Sequence, residues 1–407
     1  MTSFDVSHAD VALSVRQTRF AWLLWGGFTL AASTMIALAT DRSPVNVVYR
    51  HGADCWSSGR ELYDGGGTVF IYPPQAAILH LPFTLLPRPA YDFAWRIVNL
   101  GLFGWGVYQL ARCAQGNAHR GLYLWATLFV LPKTWTVAVN GQATTAMAGL
   151  MMIAAAAASS GKWTRAAVSL ILALAFKPLA IVLVLLMGAL HPPLRWRLAL
   201  GSLVFLGFPY LTQEASYVTA QYRDFLSSLE DSAALGLSIE WPQLFSLLQW
   251  VGIQLSESAQ TFLRGMAAVA TLAAAWWVTR RFDRGDAAVL IYSLAASYLL
   301  LFNPRTENSS YTLLMPAVGI CAARAIVRER CWRRVAWLTV LALGLTGGYE
   351  ICRLFTPEAP FVWTCPLATA AFAAWLAIEI IKSRPAAPEE PAGEVCGVDL
   401  QTTGRAA

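Results

Sequence analysis

Charge is what this chain has least of. Only 13% of its 407 residues are Asp, Glu, Lys or Arg, too few to cover the surface of a soluble domain of this length. Histidine is rarer still at 5 residues, and the 7 cysteines show no metal-ligand spacing, which removes the usual sequence signatures of a zinc or iron–sulfur centre. No internal repeat is visible, so the signature of inverted-repeat transporters is missing. The first apolar run, Phe20–Ala39, also lacks the short core and small-residue cleavage site of a signal peptide, and is read as a retained span.

What fills the chain is apolar: 57% of residues are hydrophobic. Runs near the length of about 20 residues that crosses a bilayer recur along it, from Phe20–Ala39, Trp95–Leu110, Gly121–Val139 and Thr144–Ala158 to Leu313–Val327, Val335–Gly348 and Trp363–Ile381. Basic clusters lie between them at Arg16/Arg19, Arg112/Arg120, Lys162/Arg165, Arg195/Arg197, Arg280/Arg281/Arg284, Arg324 to Arg334 and Lys382/Arg384. Lys and Arg concentrate in cytoplasmic loops. All these clusters fall on one side only if the stretch from Arg165 to Arg195 crosses twice, with Lys177-Pro178 as its outer turn.

The expectation is an all-α integral membrane protein of about twelve transmembrane helices, both termini cytoplasmic, occupying residues 1–384, with a polar disordered tail at 385–407. The net charge of +6 is then a signal of topology and not of nucleic-acid binding. Cys352 and Cys365 fall near one outer loop, where they either pair or stay as separate thiols.

Two polar islands stand out. The first outer loop, residues 40–95, is amphipathic, with a helical segment Val45–Ser58, a Gly65-Gly66-Gly67 break, Ile71-Tyr72-Pro73-Pro74 and a helix candidate Gln75–Leu86, the pattern of surface-lying helices. The second island, Asn303 to Tyr311, interrupts two spans, and Pro304 withholds a backbone donor there.

Val48-Tyr49, Gly59, Leu62-Tyr63, Tyr72-Pro73-Pro74, Asn140-Gly141-Gln142 and Lys177-Pro178, in that order, resemble the pattern of GT-C glycosyltransferases. Among these the chain is most similar to the polyprenol-phosphate-mannose-dependent mannosyltransferases of family 87, over about Phe20 to Ile381. The resemblance implies an enzyme of the inner (plasma) membrane that moves a sugar, mannose in that family, from a polyprenyl-phosphate donor to a lipid or glycan acceptor at the outer face. It also implies an inverting, metal-independent mechanism without cofactor, in which a carboxylate of the first outer loop is the general base.

The chain departs from the family at that base: an aspartate usually precedes the Val-Tyr pair, and Val45-Asn46 stands there. Asp54 is the first alternative, beside Cys55-Trp56, and Asp41 the second; each is otherwise a solvated loop carboxylate, and the chain is otherwise a silent binder of polyprenyl phosphate. A hydroxyl attacking an anomeric carbon must lose a proton to such a group, and the departing phosphate needs fixed positive charge.

Arg305 suits phosphate by its planar fork, with Glu307 as its partner or as the missing base; the plain alternative is an ion pair that ties off a helix end. Lys177, a charge between apolar half-spans Ala166–Phe176 and Leu179–Leu190, reads as a phosphate contact or as a side chain reaching the interface. Lys133 is a weaker version of the same. Gln142 is a candidate for a sugar hydroxyl, or part of a turn that needs Gly141. Tyr72 and Arg223 complete the substrate-binding candidates, and His51 and His80 lie close enough to assist a proton transfer or to be structural. Trp241–Val251 reads as an interfacial helix shaping an acceptor or lipid groove. The rival class is a transporter or flippase for a lipid-linked glycan.

Overall fold

The computed structural model describes residues 8–38, 45–63, 70–115, 121–235, 242–304, 306–355 and 363–383. The candidates Asp41 and Arg305, and the tail, lie outside the described residues.

Among the described residues every regular element is helical: α1 (His8–Leu38), α2 (Asn46–Ser57), α3 (Pro74–Thr84), α4 (Arg88–Gln115), α5 (Leu122–Asn140), α6 (Thr144–Ser159), α7 (Trp163–Phe176), α8 (Ile181–Leu190), α9 (Pro192–Gly207), α10 (Ala215–Leu235), α11 (Leu244–Trp250), α12 (Glu257–Arg281), α13 (Arg284–Phe302), α14 (Met315–Arg324), α15 (Trp332–Phe355) and α16 (Thr364–Lys382). Six of the helices are long and apolar enough to cross a membrane: Ser14–Leu38, Leu122–Asn140, Glu257–Arg281, Arg284–Phe302, Asn308–Glu329 and Thr364–Lys382. Further apolar helices, Thr144–Ser159, Trp163–Phe176 and Pro178–Leu190, are shorter than a full crossing. The count of about twelve expected from the basic clusters therefore exceeds the helices that qualify by length and composition.

The centre of the bundle is α6. All of Thr144 through Ala158 is buried: its small residues, Gly149 and the alanines from Ala154 to Ala158 among them, let α4, α7 and α13 pack against it, and Met147, Leu150, Met151, Met152 and Ile153 fill the space between. Small residues are how helices gain contact where lipid removes the hydrophobic drive between them. The tightest seam is α4 on α6: a Cβ on Gly106 would run into the backbone of Gly149, and one on Gly149 into the backbone of Leu102 and Phe103. By contrast α12 is only 11% buried over its most apolar window and turns Phe262, Met266, Val269 and Trp276 outward.

At the end of the bundle where α13 begins, ion pairs replace apolar packing. Arg324 pairs with Asp286, and Arg334 reaches Glu329 at 2.8 Å and Glu379 at 2.7 Å. These pairs tie the ends of α13, α14, α15 and α16 together. Cys365 is a buried free thiol, and the side chain of Cys352 lies outside the described residues.

At the other end lies the first loop, and its two helices fall close to where the sequence places them. Tyr49, Gly52, Ala53, Cys55 and Trp56 of α2 are buried, a spacing that follows the helical period. Residues around α10 hold this loop down. Gln221 Oε1 accepts from Leu62 N (2.8 Å), Tyr217 donates to Arg60 O (2.6 Å), Gln213 donates to Trp56 O (2.6 Å), and Gln75 donates to Phe205 O (2.7 Å).

Gly149→Leu should cost at least about 1–3 kcal/mol of stability through overpacking of the α4–α6 seam, while Gly265→Leu on α12, where a Cβ meets nothing within 4 Å, should be near neutral. Thermal unfolding of detergent-solubilised variants compares the two, and equal losses would show that the seam is not tight.

Candidate active site

The site begins with a problem of backbone chemistry. A helix leaves its last carbonyls without partners, and inside a membrane protein water is not at hand to satisfy them. Where α5 ends and α6 begins, side chains of α4 supply the donors. Arg96, fully buried, donates to Ala138 O (3.0 Å), Val139 O (2.5 Å) and its own-helix Asp92 O (2.9 Å). Trp95 Nε1 donates to Gly141 O (2.6 Å), and Asn99 Nδ2 donates to Gln142 O (2.6 Å) while its Oδ1 accepts from Ala146 N (2.7 Å). Gly141 sits at φ +63°, a left-handed conformation that closes α5, and Asn46 packs against the space its missing side chain leaves.

That fixed turn orients a tyrosine relay. Ala143 N donates to Tyr49 Oη (2.9 Å), Tyr49 donates to Tyr72 Oη (3.1 Å), and Tyr63 donates to Tyr72 O (2.6 Å). Burial pushes the Tyr49 hydroxyl pKa far above its ordinary value, with Tyr72 adding to the shift and Lys177 opposing it. The hydroxyl therefore stays protonated and works as a donor. His80 is stacked on Tyr49 at 4.7 Å and packed on Trp95 at 4.4 Å, with Nδ1 2.7 Å from Ala76 O. Burial lowers its pKa from 6.5 to about 4, so the ring is neutral.

Tyr72 forms one wall of a cavity of about 220 Å³, completed by Lys177, Pro178, Leu229, Asn303, Glu307 and Ser310 among others. The cavity brings the two polar islands and the Lys177-Pro178 turn together. The position of Lys177 follows from the residue after it, because proline forces its predecessor out of the helical region. Lys177 is extended (φ −150°, ψ 133°) where α7 stops, and a short 3₁₀ turn, Pro178–Ala180, starts α8. Its side chain is only 6% exposed, and its ammonium stands 5.8 Å from the centre of the Tyr72 ring. Among the described residues it has no carboxylate partner. Across the cavity, Glu307 Oε2 accepts from the Ser309 hydroxyl at 3.0 Å.

The other sequence candidates lie off this cavity. Asp54 is exposed on α2 and is not among the cavity's residues. Gln142 is buried behind the relay, with Oε1 lacking a partner. Arg223 is exposed on α10, which gives Leu229 to the cavity instead. Lys133 is engaged from below: its ammonium donates to Asn308 Oδ1 at 2.8 Å, beside Cys365, which pins the start of the 3₁₀ turn Asn308–Leu313. His51 lies 3.5 Å from Cys55 on α2.

Sequence reading missed Asp92, Arg96 and Asn99. Asp92 accepts from Asn46, one of the two residues, Val45-Asn46, where the resemblance leads one to expect an aspartate. Its only sequence signal was a pair of charges beside a span, which snorkelling explains equally well.

A family model, Glycosyltransferase family 87, matches residues 70–304, from the edge of the first loop to the second island. A relative from Mycobacterium tuberculosis (strain ATCC 25618 / H37Rv), a polyprenol-phosphate-mannose-dependent alpha-(1-2)-phosphatidylinositol mannoside mannosyltransferase, is 34% identical over 106 residues. That match covers 21% of this chain and 25% of the relative, so it spans about a quarter of the relative's length. Apolar helical bundle and family match together define a membrane glycosyltransferase. The chain belongs to glycosyltransferase family 87.

The neutral His80 ties the first loop to pH. Above pH 6.5 the ring is neutral folded or unfolded, and its contribution is complete. As pH falls from 6.5 towards 4, the unfolded ring takes a proton that the folded ring refuses, so about 3 kcal/mol is lost. His80→Phe should flatten the fall of unfolding temperature across that interval, and an unchanged slope would show that His80 is not the group responsible.

Proposed function

We propose that this protein transfers a sugar, mannose by its likeness to the mycobacterial mannosyltransferase, from a polyprenyl-phosphate carrier to a lipid or glycan acceptor, as a GT-C-type inverting enzyme. The observation that carries the reading is the Lys177 ammonium, almost fully buried and with no ion pair among the described residues, in a cavity shared with Tyr72, Glu307 and Ser310. A buried charge without a counter-charge costs folding energy, and an incoming phosphate offsets that cost each time the donor binds.

In this reading the donor phosphate lies against Lys177. Asn303 and Ser310 offer hydrogen bonds to the phosphate or the sugar, and Arg305 adds its guanidinium from the same island. Glu307 is the base. The acceptor hydroxyl gives its proton to the Glu307 carboxylate as its oxygen forms the new bond to the anomeric carbon. The bond from that carbon to the phosphate oxygen breaks on the opposite side, and the polyprenyl phosphate leaves with the electron pair on a Lys177-stabilised oxygen. Attack opposite to departure inverts the anomeric centre. Asp54, on the exposed face of α2, is the alternative base. The charge of the leaving group is met by Lys and Arg, without a metal or cofactor.

The reading also places the cavity at the outer face of an inner (plasma) membrane, with both termini in the cytoplasm. The support is the clustering of basic residues at the other ends of the helices.

Lys177→Ala should weaken binding of polyprenyl-phosphate mannose by about ten- to a hundredfold. Glu307→Gln should bind the donor near normally and lose about 10²–10⁴ in turnover. Binding and transfer of radiolabelled donor by protein in lipid measure both. Undiminished donor affinity in Lys177→Ala would remove the phosphate assignment, and full turnover in Glu307→Gln would move the base to Asp54. For orientation, Glu214→Cys should react with an impermeant thiol reagent applied to intact cells, and Lys162→Cys should react only after lysis. Both positions are exposed, and the opposite pattern would invert the topology.

A further inference from the structure

Beside the second island lies a second cavity of about 230 Å³ built from α11, the start of α12 and the turn between them. Its polar lining is unusual for a helical membrane protein. Gln243, Gln249, Gln254 and Gln260 all line it, with Ser246 and Glu257, and among the described residues neither Lys nor Arg lines it.

The link to the first cavity is direct. Tyr311 donates to Pro242 O at 2.7 Å, immediately after Ser310, which lines the Lys177 cavity. Phe245 packs on Phe302 at 6.2 Å, immediately before Asn303, which also lines the Lys177 cavity. Arg264 lies over the Phe245 ring at 4.8 Å and donates to Phe302 O at 3.1 Å. At the far end of α11, Trp250 stacks on Trp363 with planes 8° apart. The pocket is thus fastened at both ends of its short helix, and Phe302 and Tyr311, at the two ends of the island, anchor it next to the Lys177 cavity.

The lining chemistry selects the occupant. A carboxamide presents an acceptor oxygen and two donor hydrogens side by side, which match neighbouring hydroxyls of a sugar ring. Gln260 spends its Nε2 on Leu255 O (3.2 Å) and its Oε1 on Arg264 (3.4 Å). The amide of Gln249, the amide of Gln254 and the hydroxyl of Ser246 make no hydrogen bond among the described residues and remain available. With Glu257 as the one charged residue on its wall among the described residues, the pocket disfavours a phosphate and accepts a neutral, hydroxyl-rich group.

We propose that this glutamine pocket holds a neutral sugar unit of the acceptor, so that the acceptor is a glycan or glycolipid and presents its reactive hydroxyl across the island to the donor cavity. The inference rests on the transferase reading for its role, but the pocket's affinity for sugar is separable from it.

Saturation-transfer NMR on the full chain in lipid nanodiscs, with methyl α-mannopyranoside as the probe, tests the site. The wild type should transfer saturation to the probe, and the signal should survive saturating polyprenyl-phosphate mannose, because the donor occupies the other cavity. Gln249→Leu/Gln254→Leu should reduce probe affinity about tenfold. Gln254→Ala, at an exposed position that packing does not need, should reduce it less while leaving the unfolding temperature unchanged. In transfer assays the double variant should raise the acceptor KM and leave the donor KM alone. No signal from the wild type, a signal indifferent to the glutamines, or one displaced by donor overturns the inference. A glutamine-dependent signal in a protein that transfers nothing would instead sink the transferase reading and leave the sugar site standing.

Discussion

The structure depends on how the carbonyls at the junction of α5 and α6 find partners. Trp95, Arg96 and Asn99, within little more than one turn of α4, take the oxygens of Ala138, Val139, Gly141 and Gln142. In a water-poor interior, each oxygen left bare would cost on the order of 1–3 kcal/mol. The same bonds set the height at which α6 starts, and with it the Ala143 amide that orients Tyr49. Tyr49 orients Tyr72, and Tyr72 walls the cavity around Lys177. A requirement of backbone chemistry in the bundle is transmitted in this way to the residues that line the cavity.

Electrostatics divides the two ends of the molecule by function. Where α13 begins, cations are matched to anions, as Arg324 is to Asp286 and Arg334 to Glu329 and Glu379, which locks helix ends together. At the other end Lys177 has no such partner among the described residues. Lys133, equally buried, donates to Asn308 Oδ1, which accepts the hydrogen bond but offers no counter-charge, so it stiffens the floor of the island. Two lysines at similar depth thus do different work because of what stands within 3 Å of each.

Much of this was legible in the residues before any fold. The Lys177-Pro178 turn followed from a charge set between apolar half-spans, α2 and α3 fell close to their expected bounds, and the second island proved to be a cavity wall. Four things were not legible, each for a physical reason. The docking of α10 onto the first loop rests on contacts such as Gln221 with Leu62, more than 150 positions apart, which no local pattern encodes. Asp92, Arg96 and Asn99 resemble ordinary polar residues near a span end, and only the partner carbonyls reveal their task. Asp54 was chosen by its neighbours in sequence, yet the helical period that buries Ala53, Cys55 and Trp56 turns Asp54 outward. The glutamines around α11 are dispersed from Gln243 to Gln260 and gather only because a seven-residue helix and a turn fold them back.

The seam between α4 and α6 has a consequence for how such an enzyme can diversify. Gly106 and Gly149 face each other with no volume to spare, and α6 is buried all round, so the scaffold has almost no freedom to vary. The turn after α11 has exposed positions such as Gln254 and few packing duties. Change can therefore accumulate at the rim of the bundle, while the frame behind the Lys177 cavity stays as it is.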